Sequence, residues 1–426
     1  MNKTAKIKKN HQFIVFRKLV IVSTLIGFLS AFLGISLKRI TEYYEEIFLR
    51  EVTLNPIYYL IFPVFGLSVI YFLRQYLFKK KENKGIKEVF ESTKSTSKNL
   101  PSYKIPSHFI NGILTVIFGG STGIEISTVV ATATIGSVAQ QKENIFRKYK
   151  TELICAGVAA GITALFSSPI AGILFAIEVI SRKVTRAFII SNGIAVGIAF
   201  GLISILKEEP LFNVVITTWH SKAIPYFILL GILAGLYSVY LTRCVLFFKN
   251  QFSKIEKHYY KIILGSVILS ASLFIFPQLY GEGYHALKVI FGDSNEIPLT
   301  TTLALTFIGI LILKPIVTSI TLASGGDGGV FAPSLFIGAF LGLLVSSLLN
   351  TFFNTQVIPL NFMVIGMAAV LSASIHAPFT AIFLVCGLTN DYTLFIPILA
   401  VCLISKYTAK LIYPFTVYSY SPSLIK

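Results

Sequence analysis

The chain has 426 residues, of which 54% are hydrophobic and only 13% charged, with a mean hydropathy of +0.75. Soluble proteins carry about 25% charged residues, so a soluble multidomain protein is excluded and a polytopic helical membrane protein is left, with many windows able to cross a hydrocarbon core of roughly 30 Å. The net charge of +18 would suggest nucleic acid as the partner of a soluble chain, but its distribution points to a lipid bilayer instead.

Lys and Arg cluster at 3–18, 79–104, 142–150, 182–186 and 249–261, whereas Glu208, Glu209, Glu282, Asp293 and Glu296 fall in the alternate connections. By the positive-inside rule the five basic clusters, the N-terminus among them, are expected in the cytoplasm. No cleavable leader is expected, because the basic segment 1–18 runs into a full-length apolar stretch without a small-residue cleavage site. The domain division expected is a basic cytoplasmic N-terminus (1–18), a first membrane repeat (19–206), a connection with the first helix of the second repeat (207–261), and the remainder of that repeat (262–426).

In chain order, 13–37 and 55–77 read as full spans, and 86–93 as a short helix of mixed polarity opened by Asn83-Lys84-Gly85. Segments 105–118 and 125–138 form a pair broken at Gly119-Gly120-Ser121-Thr122-Gly123. A second pair, 152–166 and 170–180, breaks at Ser167-Ser168-Pro169, and 187–206 closes the half with Gly193, Gly197 and Gly201 on one small-residue face suited to close helix packing. The second half reads as 223–248, 262–277, 286–291 and 301–321, a break at 323–333, then 334–349, 361–374, 378–388, 394–411 and a last short helix before Lys426. Cys155, Cys244, Cys386 and Cys402 lie apart in apolar surroundings, as buried thiols do, and neither a metal site nor a redox pair is expected.

The halves repeat. Gly119-Gly120-x-x-Gly123 recurs 206 residues later as Gly325-Gly326-x-x-Gly329, and the same offset carries His108 onto Lys314. Ala159-Ala160 through Pro169 recurs 209 residues later as Ala368-Ala369 through Pro378. Paired interrupted helices in corresponding positions of two halves point to a substrate site near the bilayer midplane. Helices starting after Gly123 and Gly329 would aim free N–H groups at that point, and such termini favour an anion. Each terminus contributes roughly 0.3–1 kcal/mol, up to ~2 when partly buried, which is enough to admit an ion and still release it. Glu125 stands in the first turn beyond one break, and a carboxylate at bilayer depth costs roughly 2.5–3.5 kcal/mol or more, which makes it a functional-site candidate, the alternative being a helix-start acid that only complements the dipole.

These motifs resemble the CLC chloride channel and Cl⁻/H⁺ antiporter family, of the bacterial type without C-terminal CBS domains. The resemblance is carried by Gly328-Gly329-Val330-Phe331-Ala332-Pro333, by Ala156 through Glu178, by Met367 through Pro378 and by Leu388-Thr-Asn-Asp-Tyr392. It implies an all-α membrane protein of two inverted-topology repeats of tilted, broken helices, and a homodimer. It further implies that Glu125 is the gating glutamate, which competes with the anion for a site. Val330 and Phe331 would offer backbone N–H groups to the ion, and Tyr418 would help form the inner barrier. Gly119, Gly120, Gly123, Gly328 and Gly329 are the helix-break glycines.

The chain departs from the family pattern at three places. The first family motif falls on Asn83-Lys84-Gly85-Ile86, so Lys84 either replaces the anion-binding serine, beside Gly85 and Ile86, or is a plain cytoplasmic charge. Ile124, Ile126 and Ser127 replace the basic residue, glycine and proline around Glu125, and His108 stands where the family has a lysine. Third, the inner proton-relaying glutamate falls on Val179, with Glu178 beside it. Glu178 and His108 are thus the candidate proton-linked residues. Without a carboxylate at 179, passive chloride conduction is expected, with proton-coupled exchange as the alternative and fluoride export third. No H-E-x-x-H, nucleophile elbow or His/Cys cluster is present, so an enzyme is not expected, and chloride is expected as substrate with no cofactor. The inner (cytoplasmic) membrane is the expected location.

Overall fold

The computed structural model describes residues 3–81, 83, 85–95, 97–142, 144–181, 183–212, 214–293 and 299–419. Among them the regular structure is helical. The first half runs α1 (Lys3–Leu54), α2 (Tyr58–Phe72), α3 (Ile86–Lys94), α4 (Lys104–Ile117), α5 (Glu125–Gln141), α6 (Lys150–Phe166), α7 (Pro169–Phe175) and α8 (Arg186–Ile205). The second runs α9 (Ile224–Ser253), α10 (His258–Ile275), α11 (Tyr284–Asp293), α12 (Thr301–Ala323), α13 (Phe331–Phe353), α14 (Pro359–Ile375), α15 (Pro378–Thr389) and α16 (Phe395–Ile412). Nine helices among the described residues are long and apolar enough to cross a membrane. Short π-helical turns extend α2 to Leu77 and α7 to Ser181.

Helix ends follow local chemistry. Pro169, Pro359 and Pro378 open α7, α14 and α15, where a missing N–H leaves no bond unmade. Thr185 and Thr300 cap α8 and α12 by accepting the N–H groups of Phe188 (3.0 Å) and Leu303 (3.3 Å). α4 and α12 end alike. Gly119 (φ 85°) and Gly325 (φ 110°) turn left-handed, and the next glycine donates back to Thr115 (2.7 Å) or Thr321 (2.9 Å), the closure that a residue with a Cβ resists. Ser167 (φ 51°) and His376 (φ 55°) make the matching left-handed turns before Pro169 and Pro378.

The repeats meet through reciprocal contacts. Gly123 N–H donates to Gly329 C=O at 3.3 Å and Gly329 N–H to Gly123 C=O at 3.1 Å, an antiparallel bridge between the two breaks. On one side Ser121 N–H donates to Thr321 Oγ1 (3.2 Å); its mate is Asp327 N–H donating to Thr115 Oγ1 (2.9 Å). Every member of these pairs lies 206 residues from its counterpart, so the sequence repeat is a local two-fold relation between antiparallel halves. Behind each break a pair of helices touches through glycine: Gly136 and Gly157 where α5 meets α6, Gly342 and Gly366 where α13 meets α14.

Three expectations are corrected. The first span does not end at Leu37: α1 continues to Leu54, because Lys38 and Arg39 pair with Glu208 (3.4 and 2.6 Å) instead of marking an exit to water. The Gly193–Gly197–Gly201 face does not pack within the chain; a Cβ on any of the three would meet nothing within 4 Å. Past Ile412 the chain to Ser419 is not helical, so the expected last helix is absent there, while 420–426 lie outside the described residues. The free cysteines Cys155, Cys386 and Cys402 are buried and Cys244 is half-buried.

Candidate functional site

Because the two breaks are bridged at Gly123 and Gly329, the first turns of α5 and α13 start side by side in the protein interior. Glu125 is only 2% exposed, and its carboxylate faces its own N–H and that of Ala332, one donor from each repeat. Oε1 accepts the Tyr284 hydroxyl at 2.8 Å, while Oε2 closes no hydrogen bond among the described residues. An acid therefore lies in a cradle of helix-terminal N–H groups, where an anion would also be held. A Cβ on Gly123 would strike Glu125 Oε2 and approach the Ala332 Cβ to 2.7 Å, which explains the glycine. The replacement of the family glycine by Ile126 does not disturb this turn, since Ile126 takes ordinary helical geometry within α5.

Against the cradle lies a cavity of about 690 Å³, walled by Gly85, Ile86, Ile126, Asp327, Val330 and Tyr418 among others. Arg74, Lys87 and Lys249 also reach it, so its wall carries cations that concentrate anions. Gly85 (φ 63°) begins α3 and sits 3.8 Å from Ile126 as measured at a notional Cβ, which places the α3 terminus beside α5. The Val330 N–H points at the Tyr418 hydroxyl at 3.5 Å, and the Phe331 and Tyr418 rings lie 6.5 Å apart. Val330, Phe331, Tyr418, Gly85 and Ile86 are thus gathered at one place. Gly328 (φ 147°) packs where a Cβ would meet Thr122 Oγ1 at 2.5 Å, so the second break needs its glycine too. Lys84 lies outside the described residues.

Of the two candidate proton-linked residues, Glu178 ties two helices together. Its Oε2 accepts both the N–H and the hydroxyl of Thr380, each at 2.7 Å, joining the end of the α7 segment to the start of α15. His108 is fully buried, and its Nδ1 lies 2.9 Å from Asp327 Oδ1. A carboxylate only accepts, so Nδ1 carries the hydrogen; Nε2 has no partner among the described residues. Asp327 also accepts from Asn83 Nδ2 (2.8 Å) and Ser127 Oγ (3.3 Å), with Arg74 at 4.0 Å. It joins the cavity wall to the first turns of α5.

Sequence reasoning misses Asp327, Glu45, Tyr284 and the placement of Glu282. Glu282 is expected in an aqueous connection, yet it is 2% exposed, and its Oε1 accepts the Ile124 N–H at 2.8 Å, one residue before Glu125. Its own N–H donates to Glu45 Oε1 at 3.2 Å. Lys314, fully buried, gives its ammonium to the carbonyls of Leu279 (3.4 Å) and Gly281 (3.3 Å) and lies 4.5 Å over the Phe336 ring. These contacts hold the 279–283 loop inside the protein. The signals present in the sequence are an acid between two glycines at 281–283 and an acid inside the second glycine break.

Comparison with known proteins agrees with this architecture. The family described as voltage gated chloride channel matches residues 65–410. The H(+)/Cl(-) exchange transporter ClcA of Vibrio parahaemolyticus is 27% identical over 424 residues, covering 94% of this chain and 87% of that protein. The voltage-gated ClC-type chloride channel ClcB of Shigella flexneri is 27% identical over 312 residues, 72% of each. Among solved structures, a slow cyanobacterial Cl⁻/H⁺ antiporter superposes with a TM-score of 0.79 at 21% identity, covering 94% of this chain and 96% of that one. A CLC-type fluoride/proton antiporter gives 0.78 at 24% identity, with the same coverage.

Proposed function

The chain belongs to the voltage gated chloride channel family, and on that premise we propose that it exchanges chloride for protons across a bacterial cytoplasmic membrane, with Glu125 as the shared stop. The observation that carries this reading is the Glu125 carboxylate in the cradle formed by the N–H groups of Glu125 and Ala332. An acid and an anion that compete for one set of donors are coupled: when the acid takes a proton and leaves, the anion enters, and the reverse. The name of the Vibrio relative supports exchange over conduction.

Val179, which cannot carry a proton, is the reason to expect a channel. The inner proton stop falls instead on the Asp327–His108 pair, which reaches the basic cavity wall. That cavity is the inner one if the basic segments around Lys87 and Lys249 face the cytoplasm, with the N-terminus on the same side. Tyr418 helps form the inner barrier, and the Val330 N–H beside it is offered to the ion. Chloride is assigned over fluoride because Gly329-Val330-Phe331-Ala332-Pro333 resembles the chloride members. The open face of α8, with Gly193, Gly197 and Gly201, is proposed as part of a homodimer contact.

The test is the zero-current voltage of the reconstituted protein under opposed chloride and pH gradients. Exchange is expected to shift it with the pH gradient; a voltage fixed at the chloride equilibrium potential overturns the reading and restores the channel. His108→Gln keeps a donor for Asp327 but cannot carry a proton. It is expected to lower proton flux roughly tenfold or more, with chloride binding unchanged in calorimetry; an unaltered proton flux removes His108 from the path.

A further inference from the structure

We infer that Glu282 is a second gating acid, acting on the same cradle as Glu125; the inference rests on the reading that Glu125 gates an anion path. Where the breaks meet, Glu282 Oε1 holds the Ile124 N–H at 2.8 Å, and the Glu125 carboxylate faces the N–H groups of Glu125 and Ala332. Glu125 Oε2, on a side chain 2% exposed, closes no hydrogen bond among the described residues, so one acceptor at the cradle is left unpaired. Two carboxylates divide between them the donors that one incoming anion needs. Withdrawal of Glu125 alone leaves a second carboxyl oxygen on the adjacent N–H. The two acids therefore act in series.

The loop that delivers Glu282 is built to press it inward. Gly281 (φ 56°) and Gly283 (φ 88°) flank it in left-handed conformations, and a Cβ there would strike Glu45 Oε1 or the Phe336 ring. Lys314 fastens the same loop through the Leu279 and Gly281 carbonyls. If Glu282 served only to cap α5, an amide or hydroxyl would satisfy the Ile124 N–H without placing an ionisable group at bilayer depth. A carboxyl adds one property: on protonation one of its oxygens becomes a donor, its hold on an N–H loosens and its negative charge leaves. The proton comes from water and returns to it when the anion has passed. The charged and titratable groups around Glu282 are Glu125, Glu45 and Glu42, with Lys314 facing the Glu45–Glu282 pair, Lys288 near Glu45 and Tyr284 at the start of α11.

Chloride efflux from liposomes is to be measured against outer pH for the full-length protein, E125Q, E282Q and the double variant. Gln at 282 keeps an oxygen for the Ile124 N–H, so folding is preserved, and monodispersity in size-exclusion chromatography checks it. E125Q is expected to retain an acid-activated rise in efflux that the double variant loses. Identical, pH-insensitive efflux from E125Q and the double variant overturns the inference. Wild-type proton coupling in E125Q would instead overturn the role of Glu125, which is a separate outcome. As an independent reading, E282A frees the Ile124 N–H and is expected to bind chloride roughly fivefold more tightly by calorimetry; unchanged affinity counts against the inference.

Discussion

Glu125→Ala is expected to abolish proton movement while chloride still crosses, so that the zero-current voltage relaxes to the chloride equilibrium potential. The methyl group cannot bind a proton, and it vacates the N–H groups of Glu125 and Ala332 and the Tyr284 hydroxyl, which then has no acid to donate to. Three donors left open in a buried site are worth more filled than empty, since each unsatisfied buried group costs about 1–3 kcal/mol. Chloride is the available filler. Its binding is therefore expected to tighten, with each helix terminus contributing roughly 0.3–1 kcal/mol, up to ~2 if desolvated. A proton flux reduced at least about tenfold corresponds to a barrier raised by roughly 1.4 kcal/mol or more. Proton-coupled flux at the wild-type level in this variant would show that the proton passes elsewhere and that the acid in the cradle is only a cap.

Much of this arrangement is legible in the sequence because it is local or repeated. Hydropathy and length place the helices, and the glycine pattern at 119–123 and 325–329 marks both breaks, since a left-handed turn at Gly119 and Gly325 is demanded by the backbone alone. The same pattern predicts that the two helix starts converge, but not that Gly123 and Gly329 bond backbone to backbone. What cannot be read depends on partners far away in the chain. Glu282 looks like a loop acid until Glu45, from α1, and Ile124, before α5, come to its two ends. Lys38 and Arg39 look like a membrane exit until Glu208 arrives from beyond α8. His108 and Lys314 correspond by sequence offset, yet in the folded chain they have unlike roles. One bonds an aspartate on the cavity wall; the other holds carbonyls of a buried loop. Conversely, the glycines of α8 have the spacing of a packed helix face and no neighbour in the chain, because spacing reports what a face could do and not what is opposite it.

Gly366→Leu is expected to remove the folded protein from the membrane, whereas Gly197→Leu is expected to leave it intact. On α14 a Cβ at Gly366 would strike the Gly338 carbonyl oxygen, and across the contact a Cβ at Gly338 would strike that of Gly366. Gly342, one turn further along α13, meets the Phe362 main chain in the same manner, with a notional Cβ 2.8 Å from Met363 N. The neighbours here are backbone atoms of two long helices, which cannot rotate aside as a side chain would. Overpacking by added methylenes costs about 1–3 kcal/mol when side chains can adjust. Against main chain the whole helix pair must separate, so a loss beyond about 4–5 kcal/mol is expected, against a total stability of roughly 5–15 kcal/mol. The damage reaches the site, because α13 opens with Phe331 and Ala332 at the cradle and is buried along most of its length. At Gly197 the added side chain meets open space, so the fold is preserved and any effect falls on the proposed contact between two copies. Yield, monodispersity and thermal unfolding in detergent separate the two variants. A well-folded, chloride-transporting Gly366→Leu protein would show that the α13–α14 contact can open without disturbing the cradle.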